Sequence, residues 1–185
     1  MQMMSMAGKK APNFKTKDVF GETVELYKRN EGYTLLAFLR YSGCPWCNLA
    51  INRLTLEHKQ LKQESCDVIA FIQSESEHIM ENIYGRHELK PSFPIIADHG
   101  MKIYKKYGVE LSITSPFTSI TQIPHWLEHI RKLGFNQKKI DGNFFLVPAW
   151  YLVNNTTRKI IKCGKASNFY DHEAFIDIYD SLTFG

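Results

Sequence analysis

The sequence predicts a single α/β domain in which helices flank a central mixed sheet, and three observations carry that expectation. Two runs, Thr34-Leu35-Leu36-Ala37-Phe38-Leu39 and Asp67-Val68-Ile69-Ala70-Phe71-Ile72, are apolar without alternation, as strands covered on both faces would be. Between them, from Pro45 to about Gln63, Ala50, Ile51, Leu54 and Leu61 recur at helical spacing, which closes a β-α-β unit. Farther on, Ala149 to Val153, a turn at Asn154-Asn155-Thr156, a strand at Lys159 to Lys162 and a helix from Asp171 with Phe175, Ile178, Tyr179 and Leu182 read as a β-β-α unit.

In chain order, residues 1–10 read as a flexible tail and residues 11–185 as one domain. Ala11-Pro12-Asn13-Phe14 begins the ordered chain, and Glu22 to Leu26 alternates like an exposed strand added before the core. The central strand at Thr34 to Arg40 feeds a helix whose first turn accepts Pro45. A weaker helix over Ser76 to Glu88 rests on Ile79, Ile83 and Tyr84; a short strand covers Phe93 to Asp98, and Met101 to Tyr107 is one more helical piece. An insertion at about 110–143 starts as a Ser/Thr-rich loop and continues as a helix, with Pro124 near its start, Ile123, Leu127 and Ile130 on one face and Gly134 at its end. A β-α-β unit followed by a β-β-α unit is the layout of a thioredoxin-like fold, here with an N-terminal strand extension and a helical insertion.

With 44% hydrophobic residues in 185, the chain can bury roughly 70% of its unfolded surface in one core. Lys plus Arg number 23 against 19 Asp plus Glu, and the positive charges are scattered. Their nearest approach to a cluster, Arg131, Lys132, Lys138 and Lys139, reads as a solvated face, so no nucleic-acid partner is expected. No apolar run approaches the ~18 residues of a membrane span, and Met1 to Lys10 lacks a signal-peptide core, so the expectation is a cytoplasmic protein without membrane contact. Four cysteines, Cys44, Cys47, Cys66 and Cys163, are too few and too uneven for a secreted disulfide scaffold.

The chemistry concentrates at Cys44-Pro45-Trp46-Cys47, at a strand-to-helix junction. The first thiol there faces the free N–H groups of the opening turn, which stabilise a thiolate, and the second, three residues on, shares its helix face and can close a disulfide. A structural zinc site would need four soft ligands, and here the others would be isolated Cys66, Cys163 or histidines, so redox chemistry is the stronger reading. Arg40, four residues before Cys44, can hold its charge near the thiolate, or else snorkels at the sheet edge. Trp46 is expected to present an aromatic surface for docking, with burial against the insertion as the competing outcome. His125 and His129 sit one helical turn apart but off the apolar face, as surface histidines would, and Cys66 and Cys163 read as packing or surface thiols at a strand start and a strand end.

Several segments together resemble the peroxiredoxin-like branch of the alkyl hydroperoxide reductase and thiol-specific antioxidant (AhpC/TSA) family: Ala11-Pro12-Asn13-Phe14, Phe38-Leu39-Arg40, Gly43-Cys44-Pro45-Trp46-Cys47-Asn48-Leu49, Phe93 to Asp98, Tyr107-Gly108-Val109 and Val147-Pro148-Ala149-Trp150. The resemblance implies Cys44 as thiolate nucleophile, Cys47 as its resolving partner, and Pro148 at the place where thioredoxin-like proteins set a cis-proline facing the sulfurs. The sequence departs from peroxiredoxins where a Thr or Ser precedes the reactive cysteine by three residues, here Tyr41, and where a proline lies four residues earlier, here Ala37. The family's arginine near the Val147 strand has no counterpart between Gly142 and Asn155, which leaves Ser42 and Arg40 as candidate substitutes. No Asp or Glu occurs between Thr34 and Gly43, so the buried acid that helps deprotonate the second cysteine of thioredoxins is missing from that strand.

The expected function is that of a thiol-dependent antioxidant oxidoreductase that reduces hydroperoxides through a C-x-x-C thiol/disulfide cycle. The alternatives are thiol-disulfide exchange without peroxidase activity, or a redox-inert module that binds partners through Trp46 and the insertion helix. The enzyme readings need a peroxide or disulfide substrate and an external thiol reductant such as a thioredoxin or glutathione system, with no organic cofactor or metal. Exposed aromatic residues in the insertion would suit a homodimer.

Overall fold

A computed structural model describes residues 6–30, 32–109, 111 and 130–166. A short hairpin, β1 (Lys15–Lys17) and β2 (Thr23–Glu25), precedes the central strand β3 (Tyr33–Leu39). Then follow α1 (Pro45–Gln63), β4 (Cys66–Ile72), α2 (Ser76–Ile79), β5 (Ile95–Ala97), α3 (Lys102–Lys106), β6 (Ala149–Asn154) and β7 (Lys159–Lys165). The main sheet runs β5-β4-β3-β6-β7, with β3, β4 and β5 parallel and β6 and β7 antiparallel to their neighbours. This is the thioredoxin-like α/β arrangement that the order of apolar segments predicts.

The unbroken apolar run of β3 follows from its place at the centre of two cores. Leu35, Ala37 and Leu39 face α1 and meet Ala50, Ile51, Leu54 and Leu61, whereas Leu36 and Phe38 face the N-terminal hairpin and α3. On that second face Phe38 stacks on Phe71 at 4.5 Å and meets the edge of Tyr104 at 5.1 Å. Where β3 and β4 end, the Tyr104 hydroxyl lies within hydrogen-bond distance of the carbonyls of Leu39 (2.5 Å) and Phe71 (2.8 Å), so its one proton is shared between the two strand ends.

Several expectations are corrected. The tail expected over residues 1–10 is tied down from residue 8, because Gly8 donates to Ile160 and Ile160 to Lys9 along the edge of β7. The helix expected over Ser76 to Glu88 stops at Ile79 and widens into a π turn at Met80–Tyr84, closed by the Gly85 N–H on the Met80 carbonyl. Cys163 lies inside β7 rather than at its end, since pairing with β6 continues to Ala149↔Lys165. Residues 130–132 are helical and stop at Gly134 (φ +71°), where Phe135 and Gly134 donate back to Ile130 and Arg131 in a Schellman pattern. The loop and helix expected over residues 112–129, with Ile123, Pro124, His125, Leu127 and His129, and the final helix from Asp171, lie outside the described residues.

Candidate active site

The central strand delivers Arg40 and the turn Tyr41-Ser42-Gly43-Cys44 to the start of α1. Cys44 is its N-cap, in extended conformation (ψ 124°), and Pro45 fills the first turn, where a missing N–H costs nothing. The turn is closed by the Cys44 N–H on the Tyr41 carbonyl (3.1 Å). Both thiols are buried, with Cys44 at 1% and Cys47 at 2% exposure.

Burial by itself would raise the Cys44 thiol, but three influences outweigh it: the Cys47 thiol donates to the Cys44 sulfur, the Arg40 charge lies close, and the N–H groups of Cys47 and Trp46 point at the sulfur. Together they lower the Cys44 thiol to about 6. The Arg40 Nη2 donates to Cys44 Sγ at 3.3 Å. Burial would depress that guanidinium, yet the two sulfurs and Tyr41 hold it above its ordinary value. Cys47 moves the other way: burial, its hydrogen bond to Cys44 and the Cys44 charge push its thiol well up. Reduced, the pair is a thiolate with a protonated neighbour. Arg40 is itself 4% exposed, and its guanidinium lies 5.2 Å from the Tyr41 and Phe144 ring centres, so the snorkelling alternative is replaced by a buried charge among aromatic rings.

The remaining expected residues fall into place less simply. The Tyr41 hydroxyl donates to Gln137 at 3.3 Å, and burial followed by the Cys44 charge raises that phenol to about 12. Ser42 is fully buried, its N–H on Ser74 Oγ (2.8 Å) and its own Oγ accepting from Asn82 (3.2 Å). Trp46 is 8% exposed and lies in one apolar cluster with Ile130 and Phe135, so the docking aromatic gives way to a buried one. Pro148 follows in register opposite Leu39, beside the site, but its peptide bond is trans, the form an X–Pro bond favours by about 0.5–1 kcal/mol. In that form Val147 stays buried and the Pro148 carbonyl accepts from Ala166 (2.9 Å), which corrects the expected cis bond.

Cys66 pairs with Tyr33, at the opposite end of β3 from Cys44, roughly 20 Å away along the strand. Burial raises its thiol to about 12, and burial likewise raises Cys163. Among the described residues no three His, Cys, Asp or Glu side chains form a metal-binding group.

Sequence reasoning missed the polar groups that frame the turn. Asn48 donates from Nδ2 to the carbonyls of Ser42 (2.6 Å) and Cys44 (2.9 Å), and His87 Nε2 lies 2.9 Å from Asn48 Oδ1. Asp141 accepts from Ser74 (2.9 Å) and meets His78 Nδ1 (2.7 Å). Around them the 135–145 segment lies across the turn, with the Lys138 N–H on the Gly43 carbonyl at 3.0 Å. A methyl group at Gly43 would fall 2.6 Å from the Lys139 carbonyl, so glycine there permits the close approach.

Known proteins resemble this chain in sequence and in fold. The thiol-disulfide oxidoreductase ResA of Halalkalibacterium halodurans is 31% identical over 108 residues, 57% of this chain and 58% of that protein. ResA of Bacillus anthracis is 32% identical over 104 residues, 55% and 57% of the two chains. The chain thus matches a little over half the length of these curated relatives. Among solved structures, the peroxidoxin BcpB of Mycobacterium tuberculosis shares the fold at a TM-score of 0.68 and 11% identity, over 96% of this chain and 95% of that one. The mitochondrial 2-cys peroxiredoxin of Plasmodium falciparum does so at 0.67 and 13%, over 96% and 92%. A family model described as the AhpC/TSA family matches residues 7–125, well over half of the 185 residues, and the chain belongs to that family.

Proposed function

We propose that this protein is a thiol-disulfide oxidoreductase in which Cys44 attacks and Cys47 resolves. The observation that carries the reading is the asymmetry of the pair: a Cys44 thiol held low beside Arg40, and a Cys47 thiol held high and donating to it. In the reductive direction the Cys44 thiolate attacks one sulfur of a substrate disulfide, forming a mixed disulfide and expelling a thiolate that takes up a proton. Loss of the Cys44 negative charge removes one of the influences that hold the Cys47 proton. Cys47 then gives up its proton and attacks Cys44 Sγ, the second substrate thiol leaves protonated, and two electrons have passed to the substrate. An external thiol reductant, one dithiol of the thioredoxin type or two molecules of glutathione, returns the Cys44–Cys47 disulfide to two thiols and leaves as its own disulfide. The similarity to the ResA thiol-disulfide oxidoreductases supports the same reading.

Hydroperoxide reduction is the second reading, favoured by the 3.3 Å contact of Arg40 with Cys44, which sets a cation where an O–O bond would gain charge as it breaks. Against it stands Tyr41 at the position of the expected hydroxyl, with its own hydroxyl bonded to Gln137. The test sets the two substrates side by side. Reduced protein is mixed in a stopped-flow instrument with a model disulfide such as insulin and, separately, with hydrogen peroxide, and Cys44–Cys47 disulfide formation is confirmed by mass. Rapid oxidation by the disulfide, with peroxide no faster than on a free thiolate, supports exchange; a peroxide rate far above that of a free thiolate restores the peroxidase reading. If neither oxidant outpaces a free thiol, both enzyme readings fall.

A further inference from the structure

We propose that Asn48 is a positioning residue for the Cys44 thiol and that His87 holds it in its working orientation; the inference rests on Cys44 being the reactive sulfur. Asn48 sits one helical turn after Cys44 and is fully buried. Its amide nitrogen spans the turn, donating to the carbonyls on both sides of Gly43, those of Ser42 and Cys44. Every other backbone hydrogen-bonding group from Ser42 to Cys44, apart from the Gly43 N–H, is also assigned: Ser42 N–H to Ser74, Gly43 carbonyl to Lys138 and Cys44 N–H to Tyr41. Asn48 is the side chain that joins this turn to α1, and so sets where the sulfur lies relative to the helix N–H groups and Arg40.

An amide can rotate by half a turn, and in the rotated form its oxygen would face two carbonyl oxygens. His87 prevents this. Its Nε2 lies 2.9 Å from Asn48 Oδ1, an acceptor, so Nε2 carries the proton and donates. The imidazole is 1% exposed, stacked on Phe135 at 4.5 Å, and kept neutral by burial and by the nearby Arg86 and Lys90. Its other nitrogen, Nδ1, is buried with no hydrogen-bond partner among the described residues. A ring that only filled space would not need a nitrogen left in that state; the protonated Nε2 aimed at Asn48 gives the histidine its use.

The experiment follows the ionisation of Cys44 through thiolate absorbance near 240 nm against pH, with Cys66 and Cys163 replaced by serine, in four backgrounds: wild type, Asn48→Ala, His87→Phe and His87→Gln. Phenylalanine keeps the stack on Phe135 and removes the donor, whereas glutamine returns an N–H close to the Nε2 position. Asn48→Ala and His87→Phe are expected to raise the Cys44 thiol by about one unit, a roughly tenfold loss of thiolate well below the midpoint. His87→Gln is expected to recover most of that shift. Lower stability in both damaged variants with unchanged Cys44 titration would make the two residues structural only and overturn the inference. The His87 pair decides the matter if Asn48→Ala does not fold. A wild-type Cys44 that titrates like a free cysteine overturns the reading of the site as well, whereas a lowered wild type with unshifted variants overturns this inference alone.

Discussion

Replacing Arg40 by methionine removes the charge nearest the reactive sulfur while keeping an unbranched side chain among the same rings. The guanidinium lies 3.3 Å from Cys44 Sγ, and an opposite charge at that range holds an acid down by about 1–3 units. Taking two units, a thiol at about 6 moves to about 8, and its ionised fraction at pH 6 falls from one half to roughly one hundredth, a ~50-fold loss. The alkylation rate falls less. Thiolate nucleophilicity rises with basicity with a slope near 0.4–0.5, so each remaining thiolate reacts roughly tenfold faster and the net loss at pH 6 is about fivefold. Above about pH 9 both proteins are ionised, and the variant should overtake the wild type. The assay is iodoacetamide modification of Cys44, followed by mass from pH 4 to 10, with Arg40→Lys as a charge-keeping control. Crossing rate profiles are expected; profiles that superimpose would falsify the electrostatic argument, and a loss equal at every pH would assign Arg40 to packing instead.

Cys47→Ser should trap a mixed disulfide between Cys44 and a disulfide substrate, visible as a mass adduct stable to gel filtration, because the neighbouring thiol that would displace it is gone. Stability of the reduced protein should depend on pH in a defined direction. A thiol at about 6 when folded and near 8.5 when unfolded adds stability as pH rises between those values and loses it as pH falls through 6, a change on the order of 3 kcal/mol at most. Urea midpoints should show that rise in the wild type and not in Cys44→Ser. Above about pH 8.5 the raised Cys47 thiol works in the opposite direction, so the curve should turn over. Phe38→Ala removes a fully buried ring stacked on Phe71 and should cost about 3–5 kcal/mol in denaturant unfolding. Gly43→Ala should push the 135–145 segment off the turn, costing about 1–3 kcal/mol and making Cys44 easier to alkylate at a given pH; slower or unchanged modification would count against that segment as its cover.

What could be read in advance was local. The run from Tyr33 to Ile72 carries its periodicity within a few residues, and β3, α1 and β4 fall within a residue or two of their expected limits. Cys44, Cys47 and Arg40 were legible for the same reason, since positions four before and three after Cys44 meet at a strand-to-helix junction wherever one forms. Asn48, also close by, gives no such signal, because nothing local distinguishes an amide that spans a turn from one that faces water. His87, Ser74, His78 and Asp141 reach the turn across the fold and carry no spacing signal. For Trp46 the sequence left docking surface and burial against the insertion both open, because the irregular stretch around Phe135, which shares its apolar cluster, has no periodicity to read. The shortened helix after Ser76 shows the converse: apolar spacing marked the buried residues Ile79 and Ile83 but could not tell an α turn from the wider π turn that carries one of them.

The Cys44 sulfur is acidic and covered at once, and the two properties meet in the 135–145 segment, where Phe144 lies against Arg40 and Phe135 stacks on His87. Its acidity comes from Arg40, Cys47 and the first turn of α1, while the 135–145 segment lies over the turn that carries it. A charged nucleophile is therefore stored out of solvent, and its encounter rate is set by how often the surrounding chain yields. Small and bulky reagents should sense that barrier unequally, and changes at Phe135 or Phe144 would alter the range of accepted reactants together with the titration of the sulfur. Acidity and admission are therefore tied to one another in this fold.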